Sequence, residues 1–163
     1  MKKILLISDT HGYIGDEIIK HVSWSDEVWH AGDIGGLNVT DTIKNYKPLR
    51  AVHGNIDDKN IRAEFPSNQR FNIEGMEVWM RHIGGYPKRY SKNIFDEINK
   101  NPPDLFICGH SHILRVIKDE KLNLLHMNPG AIGIKGFHKV RTMLRFNISN
   151  GNINNLEVIE YKR

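Results

Sequence analysis

Five short strand-like stretches, each cut off by a carboxylate, amide or imidazole, constrain this chain more than any other feature. They cover residues 4–7, 27–31, 49–52, 76–80 and 105–108. Residues 4–7 and 105–108 are apolar at every position, which fits a strand buried on both faces, and their shortness and turn-like boundaries argue against helix. Between the early stretches lie helical patterns. Residues 14–22 place Ile14, Ile18, Ile19 and Val22 on one face, and 40–46 predicts a second helix capped by Asn38 or Thr40. Residues 71–73 and 76–80 read as a hairpin around Glu74-Gly75. Residues 91–100 form an amphipathic helix through Ile94, Phe95 and Ile98. Residues 122–127 read as a strand stopped by Asn128-Pro129-Gly130. A last hairpin joins 141–148 to 155–161 around Asn150-Gly151. Early βαβ units followed by β-rich segments predict a layered α/β fold. No repeat, low-complexity tract or linker interrupts it, so residues 1–163 are expected to form a single domain.

Composition narrows the partners. The chain has 39% hydrophobic and 26% charged residues with a formal charge of +4, an ordinary soluble balance that suits an anionic substrate. Cys108 is the one cysteine, so no internal disulfide can form, and its apolar neighbours make it a core residue rather than a nucleophile. The apolar run 4–7 is too short for a signal peptide, and no stretch approaches membrane-spanning length. The expected location is the cytoplasm, without a membrane partner. Trp24, Trp29 and Trp79 are scattered, which suits packing better than a base-stacking platform.

Polar residues of ligand type sit where the strands stop. Asp9 and His11 follow the first strand, Asp33 the second and Asn55 the third. His82 follows the second strand of the first hairpin, and His110 and His112 follow 105–108. Ligand crevices of open α/β sheets lie beyond the carboxyl ends of the strands, so seven potential donors converge on one edge. Two imidazoles one residue apart at a strand end, able to leave on the same side, suit a metal better than water. Gly109 is expected to let the backbone turn there.

The ordered set Asp9-Thr10-His11, Gly32-Asp33, Gly54-Asn55, His82 and Gly109-His110-Ser111-His112 resembles the calcineurin-like metallophosphoesterase superfamily. The resemblance runs from residue 4 to about 146. Gly54-Asn55-Ile56-Asp57 and the short length are similar to its small prokaryotic phosphodiesterase branch. It implies a four-layer α-β-β-α sandwich of two mixed sheets flanked by helices. It also implies a dinuclear site, one metal on Asp9, His11, Asp33 and His112, the other on Asp33, Asn55, His82 and His110. Asp33 bridges in that scheme. The implied activity is metal-dependent hydrolysis of a phosphodiester by a metal-bridging water, with Asp33, Asn55 and His110 acting through metal and substrate positioning. Oxygen and nitrogen donors without thiolate suit Mn²⁺, the ion expected in use, and equally Ni²⁺, Fe, Co²⁺ or Zn²⁺. A small phosphodiester is the expected partner. A nucleic acid is less favoured, and a homo-oligomer is left open. The alternatives are a non-catalytic scaffold on the same fold and a nucleic-acid-processing nuclease.

The sequence departs from the superfamily pattern at one place. Ile56 stands where many members carry the histidine that protonates the leaving group, an acid typically worth about 10²–10⁴ in rate. His53 is a substitute donor by proximity alone, and it reads better as a structural strand-end residue. Asp57 either assists catalysis by orienting a ligand or simply makes a turn. In the loop after His82, Lys88 and Arg89 either meet phosphate oxygens or form a solvated basic loop. His30 and His126 are expected to be structural. His21 and His138 receive no role.

Overall fold

The computed structural model describes residues 1–163. In chain order the elements are β1 (Lys2–Ile7), α1 (Asp16–Trp24), β2 (Glu27–His30), α2 (Leu37–Lys44), β3 (Leu49–Ala51), α3 (Lys59–Glu64), β4 (Asn68–Ile73) and β5 (Met76–Arg81). They continue with α4 (Lys92–Lys100), β6 (Leu105–Ile107), β7 (Leu114–Asp119), β8 (Leu124–Pro129), β9 (Val140–Ser149) and β10 (Asn152–Lys162). Two five-stranded sheets result, with orders β10-β9-β1-β2-β3 and β4-β5-β6-β8-β7. In the first, β1, β2 and β3 are parallel and β9 and β10 antiparallel. In the second, β5, β6 and β8 are parallel, with antiparallel edges β4 and β7.

Strand alternation distributes the apolar residues over three cores. Ile4 and Leu6 of β1 point between the sheets and pack with Trp29, Val78, Met80, Leu105, Ile107 and Phe146. Leu5 and Ile7, one residue out of phase, face the other way and meet Ile18 and Val22 of α1 and Val39 and Ile43 of α2. Phe106 and Trp79 leave the second sheet on its outer side and meet Ile94 and Ile98 of α4. The result is the four-layer α-β-β-α sandwich, and the uninterrupted apolar run at residues 4–7 is explained by burial on both faces. No helix is long and apolar enough to cross a membrane.

Several local expectations are corrected. Neither Asn38 nor Thr40 caps α2. The helix starts earlier, after Gly36, and Thr40 is buried inside it with its hydroxyl donating to the Leu37 carbonyl. The short helix α3, capped by Asp58 accepting from the N–H groups of Asn60 and Ile61, has no counterpart in the sequence reading. Nor does the edge strand β7, whose alternation is broken by half-exposed apolar residues.

Candidate metal centre

The parallel strands carry their C-terminal ends to one edge, and the donors stand there. The donor atoms of Asp9, His11 and His112 lie within 4.8 Å of one another, and so do those of Asp33, His82 and His110. Asp9 Oδ1 is 3.1 Å from His112 Nε2 and 3.7 Å from His11 Nε2. Asp33 Oδ2 is 3.2 Å from His82 Nε2 and 3.8 Å from His11 Nε2, so this one carboxylate reaches both groups. Asn55 joins the second group through Oδ1, 3.0 Å from His110 Nδ1.

These close approaches do not satisfy the atoms that make them. Asp9 Oδ1, His11 Nε2 and His82 Nε2 are buried without a hydrogen-bond partner. An unpaired buried polar group costs about 1–3 kcal/mol, so three side by side point to an outside partner for their lone pairs. Carboxylate, amide and imidazole donors in this arrangement fit two divalent cations.

The electrostatics suit cations as well. Burial pushes the Asp9 carboxyl up, but His11, the charge of His82 and the hydroxyl of Ser8 outweigh it and hold the group below the usual carboxylate range. Asp33 shows the same balance, burial against His82 and the Ile56 N–H, again with a net lowering. The carboxylates therefore stay ionised at neutral pH. His11, beside Asp9, is raised despite its burial. His82 is raised because Asp33 and Asp9 overcome its desolvation.

Backbone strain concentrates at the same residues. Asp9 (φ 54°), His11 (46°), Asp33 (53°), His110 (69°) and His112 (60°) all lie in the left-handed region. That conformation costs an L-residue roughly 1–2 kcal/mol, and such strain clusters at functional sites. The distribution also corrects the expectation for Gly109, which is not itself left-handed; His110 and His112, which follow it, make the turn. Glycine is required at 109 for space, since a Cβ there would lie 2.1 Å from Ser8 Oγ and 2.9 Å from Asp9 Oδ2. At Gly54 a Cβ would stand 2.0 Å from Asp33 Oδ1.

Surrounding polar groups hold the donor loops. Asp57 accepts from the backbone N–H groups of Ile34 (3.1 Å), Gly35 (2.8 Å) and Gly54 (2.8 Å), tying the loop after Asp33 to the one before Asn55. It is buried in these bonds and acts by positioning the two donor loops. Asn128 Nδ2 donates to the Gly109 carbonyl (2.8 Å) and to Ser111 Oγ (3.2 Å), bracing the turn that carries both histidines. His30 is fully buried and packs as expected, its Nε2 2.8 Å from Thr10 Oγ1.

Other expected site residues stand elsewhere. His53 directs Nδ1 at the Phe65 carbonyl (2.9 Å), so its proton is committed there, and Nε2 faces the Arg62 guanidinium at 3.4 Å. It is a strand-end anchor. Lys88 lines a separate groove of about 800 Å³ with Tyr86, Tyr90, Arg115 and Lys118, which none of the seven donor residues lines. Arg89 is exposed on the same loop, its N–H bonded to the Tyr86 carbonyl. What borders the donors instead is apolar. Ile56, Ile83 and Ile113, each following a donor in sequence, are about half exposed, and Phe137 is fully exposed. Phe137 and Ile113 line a cleft of about 350 Å³ with His110, Ser111, His112 and His138. His138, given no role by the sequence, lies against His112; one histidine in a loop, 26 positions from its partner, leaves no periodic signal.

The sequence profile described as the calcineurin-like phosphoesterase superfamily domain matches residues 1–151. The chain belongs to that superfamily. A probable metallophosphoesterase of Mycoplasma pneumoniae is 28% identical over 162 residues, covering 96% of both chains. Among solved structures, Vps29 of Entamoeba histolytica in complex with zinc superposes with a TM-score of 0.74 at 14% identity, over 98% of each chain. An archaeal phosphodiesterase superposes with a TM-score of 0.66 at 20% identity, over 96% of this chain and 99% of its own. These two structural likenesses show the fold. Membership in this metal-dependent phosphoesterase family agrees with the two candidate metal-binding groups.

Proposed function

We propose that this calcineurin-like phosphoesterase is a cytoplasmic phosphodiesterase that uses two divalent ions, with Mn²⁺ in use, within one domain spanning residues 1–163. The observation that carries the reading is the convergence of two donor groups, with Asp9 Oδ1, His11 Nε2 and His82 Nε2 left unpartnered at their centre. Asp9, His11 and His112 would hold one ion, Asn55, His82 and His110 the other, with Asp33 shared. Such a pair, when bound, neutralises phosphoryl charge and lowers the pKa of water.

The remaining features support a small diester. A diester brings one negative charge and two organic arms, whereas a monoester brings up to two charges and one arm. Ile56, Ile83, Ile113 and Phe137 around the donors offer apolar surface for arms, not extra cations for charge. Ile56 can donate no proton, and the His53 proton is engaged at Phe65, so this chain supplies no side-chain acid from either position. Substrates whose leaving group departs unprotonated are favoured.

The test is hydrolysis of bis(p-nitrophenyl) phosphate against p-nitrophenyl phosphate with added Mn²⁺, alongside metal analysis. We expect the diester to be preferred. The Asp33→Asn variant should lose nearly all activity and much bound metal, because one carboxylate serves both groups. A preference for the monoester, or an Asn variant with wild-type metal content and turnover, would refute this reading. The exposed Phe137 favours a second reading, a non-catalytic scaffold whose metal edge docks a protein. It predicts bound metal without turnover of any ester.

A further inference from the structure

His138 belongs to none of the motifs above, yet it is buried and bonded on both sides. Its Nε2 lies 2.8 Å from the Gly133 carbonyl oxygen. Its Nδ1 lies 3.2 Å from Nδ1 of His112, the two rings meeting edge-on at 80°. A carbonyl can only accept, so His138 Nε2 carries a proton. In the neutral ring Nδ1 is then a lone pair, and the facing His112 Nδ1 must be the donor. That leaves His112 Nε2 without a proton, and Nε2 is the atom 3.1 Å from Asp9 Oδ1 inside the first donor group. We infer that His138 is a positioning residue that fixes the tautomer and ring plane of His112 and so prepares its Nε2 for a divalent cation. The inference rests on the reading of Asp9, His11 and His112 as a cation site.

The loop that carries His138 is built around this contact. Gly136 (φ +129°) packs its backbone directly on the pair. A Cβ there would come 2.5 Å from His112 Nδ1 and 3.0 Å from His138 Nδ1. The Arg163 guanidinium donates to the carbonyls of Ile134 (3.2 Å), Gly136 and His138 (3.2 Å), holding a segment without helix or strand in one conformation. Conserving the ring's nitrogen pattern therefore matters less than conserving one donor toward Gly133 and one acceptor toward His112. A glutamine amide has both; an alanine has neither.

The experiment uses the full chain stripped of metal and titrated with Mn²⁺ by calorimetry, as wild type, His138→Ala and His138→Gln. Outer-shell partners of ligating histidines are typically worth about 10–100-fold in metal affinity. His138→Ala should weaken one of two Mn²⁺ sites by about that factor and leave the other unchanged, and His138→Gln should restore most of it. Long-range ¹⁵N–¹H spectra of the metal-free wild type should show His112 protonated at Nδ1, with that preference lost in His138→Ala. Unchanged Mn²⁺ affinity in His138→Ala would overturn the inference. So would a glutamine variant as weak as the alanine one, or His112 protonated at Nε2 in the wild type. The tautomer is read without metal and without turnover, so it stands even if the protein cleaves no diester. Conversely, diester cleavage with two equal Mn²⁺ sites in His138→Ala would sink this inference and spare the proposed function.

Discussion

Glycine at position 110 should give a more stable metal-free protein than alanine, the reverse of the usual order. Both substitutions remove the imidazole, which is exposed and bonded by its side chain only to Asn55 Oδ1 at 3.0 Å, so that loss cancels in the comparison. What differs is the backbone. In an ordinary conformation glycine is less stable than alanine by roughly 0.5–1 kcal/mol, because it loses more freedom on folding. At φ 69° alanine carries the left-handed penalty, roughly 1–2 kcal/mol, and glycine does not. The difference favours glycine by roughly 0.5–1 kcal/mol, or about 1–4 °C in Tm for a chain of this size. Thermal and urea unfolding in EDTA measures it. The same pair at the exposed Lys20 of α1 is the control, where alanine should lead by about 1 kcal/mol. Equal stability at 110, or an advantage for alanine, would show that the strained turn is not maintained against an energetic cost.

Two further outcomes can be measured. Burial, with Arg115 nearby, lowers His126 to about 4, and neither ring nitrogen has a partner. The unfolded chain takes up that proton below pH 6.5 while the folded one refuses it until about 4, so stability falls as pH drops across this window, by up to roughly 3 kcal/mol. In metal-free protein His126→Phe should flatten the urea midpoint between pH 6.5 and 4 by about this amount; an unchanged slope would assign the acid limb to other groups. Rates across a leaving-group series should fall steeply as leaving-group pKa rises, Ile56→His should flatten that dependence, and His53→Gln should leave it as it was. A flat dependence in the parent would reveal a proton donor outside these positions.

The main strands and the edge at which the donors gather are legible in the order of residues alone. Residues 4–7 are apolar throughout because β1 is buried on both faces, and that demand is written residue by residue. The change from apolar run to Asp9, Asp33, Asn55, His82 or His110 marks where each strand leaves the core, so the donors could be found from their neighbours in sequence. Other features depend on groups that come together only in the folded chain. Gly54 and Gly109 are needed because Asp33 and Asp9 occupy the space a Cβ would take. Five donor residues are left-handed because the long-range packing of two sheets outweighs local preference. Lys88 turns into another groove, His53 anchors to Phe65, and His138 meets His112 across a loop pinned by Arg163. Local patterning encodes burial and turns, but which nitrogen faces which oxygen is set by the closure of segments on one another, and His112 and His138 stand 26 positions apart, beyond any window in which a pattern repeats.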